Sequence, residues 1–164
     1  MKALALPDLS RFLNSAFAGP AWHGPSVRAS VRGVLPDEAQ WKPGPGRNSI
    51  WELALHIAYA KHRVRGRLES SPSTRFARRL ARPWWPEIYS SLADGDGWTR
   101  DRVLLDASHG RLITALEAIP AGRLDESRKG KWFTLRDEVA GLALHDVYHA
   151  GQILLIRRLY ASKG

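Results

Sequence analysis

Apolar positions recur at intervals of three and four along most of this chain, and nowhere do they alternate strongly enough to predict a sheet. The pattern therefore predicts an all-α fold with four long helices. The first opens near Pro7 and Asp8, since proline suits a first helical turn and an acid suits the positive end of the helix dipole. It is expected to bury Leu9, Phe12, Leu13 and Phe17 and to stop before Gly19-Pro20. A short helix from Ser26 to about Val34 follows, ended by Pro36, and residues 41–46 form a Pro/Gly loop. The second long helix starts at Ser49-Ile50-Trp51-Glu52, a pairing in which two side chains satisfy the free N–H groups of a first turn. Its core stripe is Leu53, Ile57, Ala60, Val64 and Leu68.

The third long helix spans about Thr99 to Ile119, with the stripe Leu105, His109, Leu112, Leu116 and Ile119, until Pro120 and Gly122 end it. Between the second and third, residues 70–98 read as a long irregular crossover punctuated by Trp84-Trp85-Pro86 and Asp94-Gly95-Asp96-Gly97. The fourth runs from near Thr134 to about Tyr160. Four apolar stripes without a sheet to cover are most economically buried as a four-helix bundle, one domain over residues 1–164. Trp22, Trp41, Trp84, Trp85 and Trp98 fall outside the four long helices, where they cap the core ends or roof a pocket.

Composition narrows the chemistry. The chain has 164 residues and no cysteine, which removes disulfides, thiolate metal sites and a cysteine nucleophile. Twenty-five Lys+Arg against 16 Asp+Glu give a formal charge of +9, a bias that suits an anionic partner without naming one. The longest apolar runs, residues 53–60 and 153–156, fall short of the roughly 20 residues that cross a bilayer. Asp8 and Arg11 interrupt the N-terminal apolar stretch before a secretory core could form, so the expectation is a cytoplasmic protein without a membrane segment.

The fourth helix holds the most informative pattern. Its stripe reads Leu135, Glu138, Leu142, His145, His149, Gln152, Ile156 and Leu159, so polar groups are drawn into a core where an unpaired imidazole or amide costs roughly 1–3 kcal/mol. Two histidines at i and i+4 stand one above the other and can share one metal ion. His56, between core positions Leu53 and Ala60 of the second helix, faces inward as well, whereas His62 lies about 240° further round and points elsewhere. Three imidazoles from two helices leave coordination positions open, as catalytic sites do, and Zn²⁺, Ni²⁺ and Fe²⁺ all accept them. The alternative is three ordinary core histidines, each bonded to a neighbour. Glu52 and Asp146 are either orienting partners of a ligand ring or solvated charges, and His109 is either such a partner or a plain core histidine. Trp22, His23, Trp85 and Gln152 are candidate pocket walls.

The segments His145-Asp146-Val147-Tyr148-His149-Ala150-Gly151-Gln152-Ile153, Ser49 to Ala58 and Trp22-His23-Gly24-Pro25-Ser26 resemble the DinB/YfiT-like superfamily, over nearly the whole chain. The resemblance implies a four-helix bundle, often dimeric, that holds a divalent metal with three histidines, here His56, His145 and His149. It also implies a small-molecule substrate: family members include transferases and isomerases that use low-molecular-weight thiols, and some resemble metal-dependent hydrolases. Three readings follow. One is a metal-dependent transferase or hydrolase. The second is a non-catalytic binding protein for an anionic ligand or nucleic acid, the latter weakened by the lack of any reading helix or RNA-binding signature. The third is a metal that only stabilises the bundle.

Overall fold

The computed structural model describes residues 4–70, 75–88, 95–127 and 129–163. Parts of the expected crossover, residues 71–74 and 89–94, lie outside the described residues. Helices α1 (Leu6–Ala18), α2 (Val27–Val31), α3 (Pro36–Gln40), α4 (Ile50–Leu68), α5 (Gly95–Ala118) and α6 (Leu135–Ala161) dominate, and the fold is all-α. α4 packs along both α5 and α6, and α1 packs against α5 and α6.

Local chemistry sets the boundaries. Ser49 accepts from the Glu52 N–H while Glu52 accepts from the Ser49 N–H, so the capping box starts α4; Thr134 and Asp137 do the same for α6. The helix expected from Ser26 to Val34 is shorter, and an unexpected second helix follows it. α2 ends at Val31, Gly33 takes φ +73°, and Pro36 opens α3 as its first residue. A proline that stops one helix has a ring lacking an N–H, which is equally suited to the first turn of the next. The crossover also holds a hairpin, β1 (Leu80–Arg82) paired antiparallel with β2 (Trp85–Pro86). α5 begins at Gly95, four residues before the expected Thr99, so Trp98 is helical and buried, its Nε1–H donating to Val34 O at 2.8 Å.

Two stripes need correction. Phe12 is 43% exposed, because α1 centres its buried face on Leu9, Leu13, Ala16 and Phe17. On α6 the expected line repeats every 3.5 residues and drifts off a face that turns every 3.6. The buried set there is Leu135, Val139, Leu142, Ala143, Asp146, His149, Ala150, Ile153 and Ile156. Leu159 is exposed, and Glu138, His145 and Gln152 fall at the margin, half-buried. α6 is long and apolar enough, at mean hydropathy 1.2, to cross a membrane by length and composition alone. Its buried face carries Asp146 and His149 and packs on α1 and α4, the environment of a core helix.

The apolar core falls into two clusters. One gathers Phe17, Val27, Ile50, Ile57, Trp98, Ala150 and Ile153, and the other Leu9, Leu13, Val64, Leu112, Leu116, Leu135 and Val139. At their boundary lies a polar layer. Lys61 and Asp146, both 0% exposed, pair at 2.5 Å, and His109 Nε2 meets Asn14 Oδ1 at 2.9 Å. The Lys61 ammonium also sits 4.8 Å from the Phe17 ring centre.

Candidate metal centre

The margin of α6 faces the margin of α4, and three imidazoles meet there. His145 Nε2 lies 3.0 Å from His56 Nε2 and 3.1 Å from His149 Nε2. His145 and His149 are one turn apart on α6, so their rings stack along the axis with centres 4.3 Å apart. Both are brought opposite His56 by the α4–α6 packing and, just beneath, by the Lys61–Asp146 pair.

Two of the three tautomers are fixed by what the other ring nitrogen touches. His56 Nδ1 is 2.8 Å from the Trp84 carbonyl, which can only accept, so Nδ1 carries the proton and Nε2 a lone pair. His149 Nδ1 donates to Gln152 Oε1 at 2.7 Å, and the Gln152 amide donates onward to the Tyr148 hydroxyl at 3.0 Å. Its Nε2 therefore carries a lone pair as well. His145 has at most one Nε2–H to offer two neighbours, and its Nδ1 is buried without a partner.

Protonation does not relieve the crowding. Burial, reinforced by His149, His56 and Lys61, holds His145 down to about 3. Burial pushes His149 down to about 4 against the opposing effect of Gln152, and His56 is lowered by burial with a smaller contribution from Arg82. Three neutral nitrogens thus converge where a proton is disfavoured. A tetrahedral ion with Zn–N bonds near 2.0–2.1 Å requires its nitrogens about 3.3 Å apart, and the observed spacings are a few tenths of an ångström shorter. The residues fit a divalent transition ion in donor type, in the two fixed tautomers and in the two Nε2 separations from His145, and this trio could hold one.

The hairpin completes the surroundings. Trp85 stacks on His56 with ring centres 4.3 Å apart and planes 10° from parallel, and the Arg82 guanidinium lies 4.2 Å over the other side of Trp85. Arg82 is tied in turn to Asn48 Oδ1 at 2.6 Å. Trp84 itself takes φ +69°, a left-handed conformation that costs a non-glycine residue roughly 1–2 kcal/mol.

The sequence model of the DinB superfamily matches residues 23–153. The chain belongs to the DinB superfamily. No curated protein and no solved structure matches this DinB chain.

The remaining candidate residues divide. Trp85 and Gln152 touch the trio. Trp22 and His23 do not; they line a separate cavity of about 460 Å³ between α1 and α6, with Phe12, Ala140, Leu144 and Val147. Trp22 is 98% exposed there. Glu52 is engaged by the α4 cap and by Lys42 at 2.9 Å, so the partner of His56 is the Trp84 carbonyl instead. His109 belongs to the polar layer, bonded to Asn14 and stacked on Phe17 at 4.0 Å, with its pKa held down to about 3 by burial and then by Lys61 and Arg28. Asp146 neither orients a ligand ring nor faces solvent, because it turns inward to Lys61. Sequence reasoning missed Trp84, whose contribution is a backbone carbonyl and leaves no mark in residue type, and Lys61, which a periodicity reading places among solvated lysines.

Proposed function

We propose that this protein is a single-domain cytoplasmic four-helix bundle that binds one divalent transition ion, Zn²⁺, Ni²⁺ or Fe²⁺, through His56, His145 and His149. We further propose that it uses the ion as a thiol-dependent transferase or hydrolase-like enzyme on a small molecule. The observation that carries the reading is the convergence of three Nε2 atoms, two of them stripped of protons by oxygen acceptors on the far side of their rings. Three protein ligands leave positions for exogenous donors, and an ion there supplies Lewis acidity to whatever donor fills them. The chain's own part is to hold neutral imidazoles in place. Trp84 and Gln152 fix two tautomers, Trp85 covers one face of His56, and burial keeps protons from competing.

A non-catalytic reading has one observation in its favour: Trp85 already lies against His56, as it would over a closed structural ion. Elemental analysis of the purified protein beside His145→Ala tests metal binding. Near one ion per chain is expected in the parent and near none in the variant; equally low content in both would remove the proposal. Turnover on thiol-dependent and hydrolysable substrates by the loaded parent, absent in the variant, would separate an enzyme from a metal-stabilised fold. A homodimer is proposed as well, through the outer face of α6, where Leu144, Tyr148 and Leu155 are 72%, 63% and 57% exposed. Sedimentation of the parent against Leu144→Glu checks it.

A further inference from the structure

Several arginines of this basic chain are matched to acids within the fold. Arg78 reaches Asp101 at 2.5 Å, Arg67 reaches Glu138 at 2.7 Å and Arg157 reaches Glu38 at 3.0 Å. Two arginines, Arg75 and Arg111, depart from that pattern. Arg65 on α4, Arg111 on α5 and Arg75 on the segment after α4 line a single cavity of about 180 Å³, together with His62, Phe76 and the buried Ser108. Glu69 stands 3.5 Å from Arg65, and neither Arg75 nor Arg111 has an ion pair among the described residues.

Three arginines lining one small space concentrate positive charge that Glu69 offsets only at Arg65, which raises the energy of the empty arrangement and lowers that of an anion placed within it. The walls are firm. Leu104, Ser108 and Arg111 lie at i, i+4 and i+7 on one face of α5, His62 and Arg65 at i and i+3 on α4, and these two helices pack along their lengths. Phe76 closes one side with its ring 5.2 Å from His62 and 5.3 Å from Tyr59. Guanidinium forks match tetrahedral oxyanions with paired N–H donors. The volume falls below the roughly 300 Å³ at which pockets for drug-sized ligands begin, so it accommodates a phosphate with a few further atoms.

We propose that this pocket binds the phosphate group of a small phosphorylated ligand through Arg65, Arg75 and Arg111. The proposal does not rest on the metal reading. His62 follows His56 by six residues, about 9 Å along the axis of α4, and points away from the three histidines.

Calorimetric titration of the full chain with inorganic phosphate, at ionic strength held constant with sodium chloride, tests it. Saturable one-to-one binding is expected, weakened about tenfold or more in Arg111→Gln and in Arg75→Gln and unchanged in Arg158→Gln on the exposed end of α6. Arg75 and Arg111 are exposed, so these variants keep the fold, and their circular dichroism should match the parent. Absence of saturation at millimolar phosphate overturns the proposal, as does equal weakening by all three variants. A short DNA duplex that binds through the same arginines more tightly than phosphate would assign them to a nucleic-acid backbone and likewise overturn it.

Discussion

His145 and Asp146 are neighbours in the chain and belong to opposite kinds of site. A step of about 100° round α6 puts the imidazole at the margin, among two other imidazoles with no carboxylate, and the carboxylate in the interior against a lysine. In the interior, opposite charges are matched, although Asp146 Oδ1 and His109 Nδ1 have no hydrogen-bond partner there. At the margin, like groups are gathered with their lone pairs facing one another. A charge pair in the polar layer fixes how α4 meets α6, whereas the histidine trio is a deficit that a cation would fill. The same helix contact serves both, which is why a change in the first should be read out in the second.

The largest effect should come from breaking the interior pair on one side only. Lys61→Met leaves Asp146 buried without its cation, and Asp146→Leu leaves Lys61 likewise; each is expected to lower unfolding free energy by about 3–5 kcal/mol in chemical denaturation. The double variant Lys61→Met/Asp146→Leu removes both charges and should recover most of that loss. A double variant as unstable as the singles would show that the pair does more than balance charge, and would dissolve the contrast between interior and margin.

At the margin the expected signature is the reverse. His149→Ala should reduce divalent-metal affinity by more than a hundredfold in competition with a chromophoric chelator, since it removes a ligand and not merely a partner. It should also stabilise or only mildly destabilise the metal-free chain, by relieving the crowded nitrogens. A loss of metal-free stability matching the Lys61 variants would instead make the histidines core residues. Gln152→Leu leaves the ligand and removes the acceptor that sets its tautomer, so affinity should fall about 10- to 100-fold with the stoichiometry retained.

How much of this was legible in sequence follows the same divide. The capping box at Ser49, the stripes of α4 and α5, and the coincidence of His56, His145 and His149 are periodic or pairwise signals within single helices, and such signals survive without coordinates. What could not be read depends on contacts between elements. Lys61 is one residue after a core alanine and looks like any surface lysine until α6 brings Asp146 to it. Trp84 acts through its carbonyl. Trp22 and His23 do line a cavity, but the chain that follows α1 leads them to the groove beside α6 and not to the trio.

The smallest effect tests whether the polar layer and the trio respond to acid alike. His109, His145 and His149 are all held far below the ordinary histidine value of 6.5, at about 3, 3 and 4. In the unfolded chain they take up protons near 6.5, so between about pH 6.5 and 4 the unfolded state binds more protons than the native one. Stability should be fully present above 6.5 and decline as pH falls through that window. Because these three and His56, which is lowered as well, share the slope, replacing one should flatten it only in part. His109→Gln preserves a polar group beside Asn14 and removes one titration, so its stability measured at pH 7 and pH 5 should differ less than the parent's does. The histidines of the trio add their share only in the metal-free protein, since an ion on Nε2 competes with the proton. A parent slope that metal leaves untouched, together with a variant slope equal to the parent's, would mean that neither the layer nor the trio is held neutral by the fold.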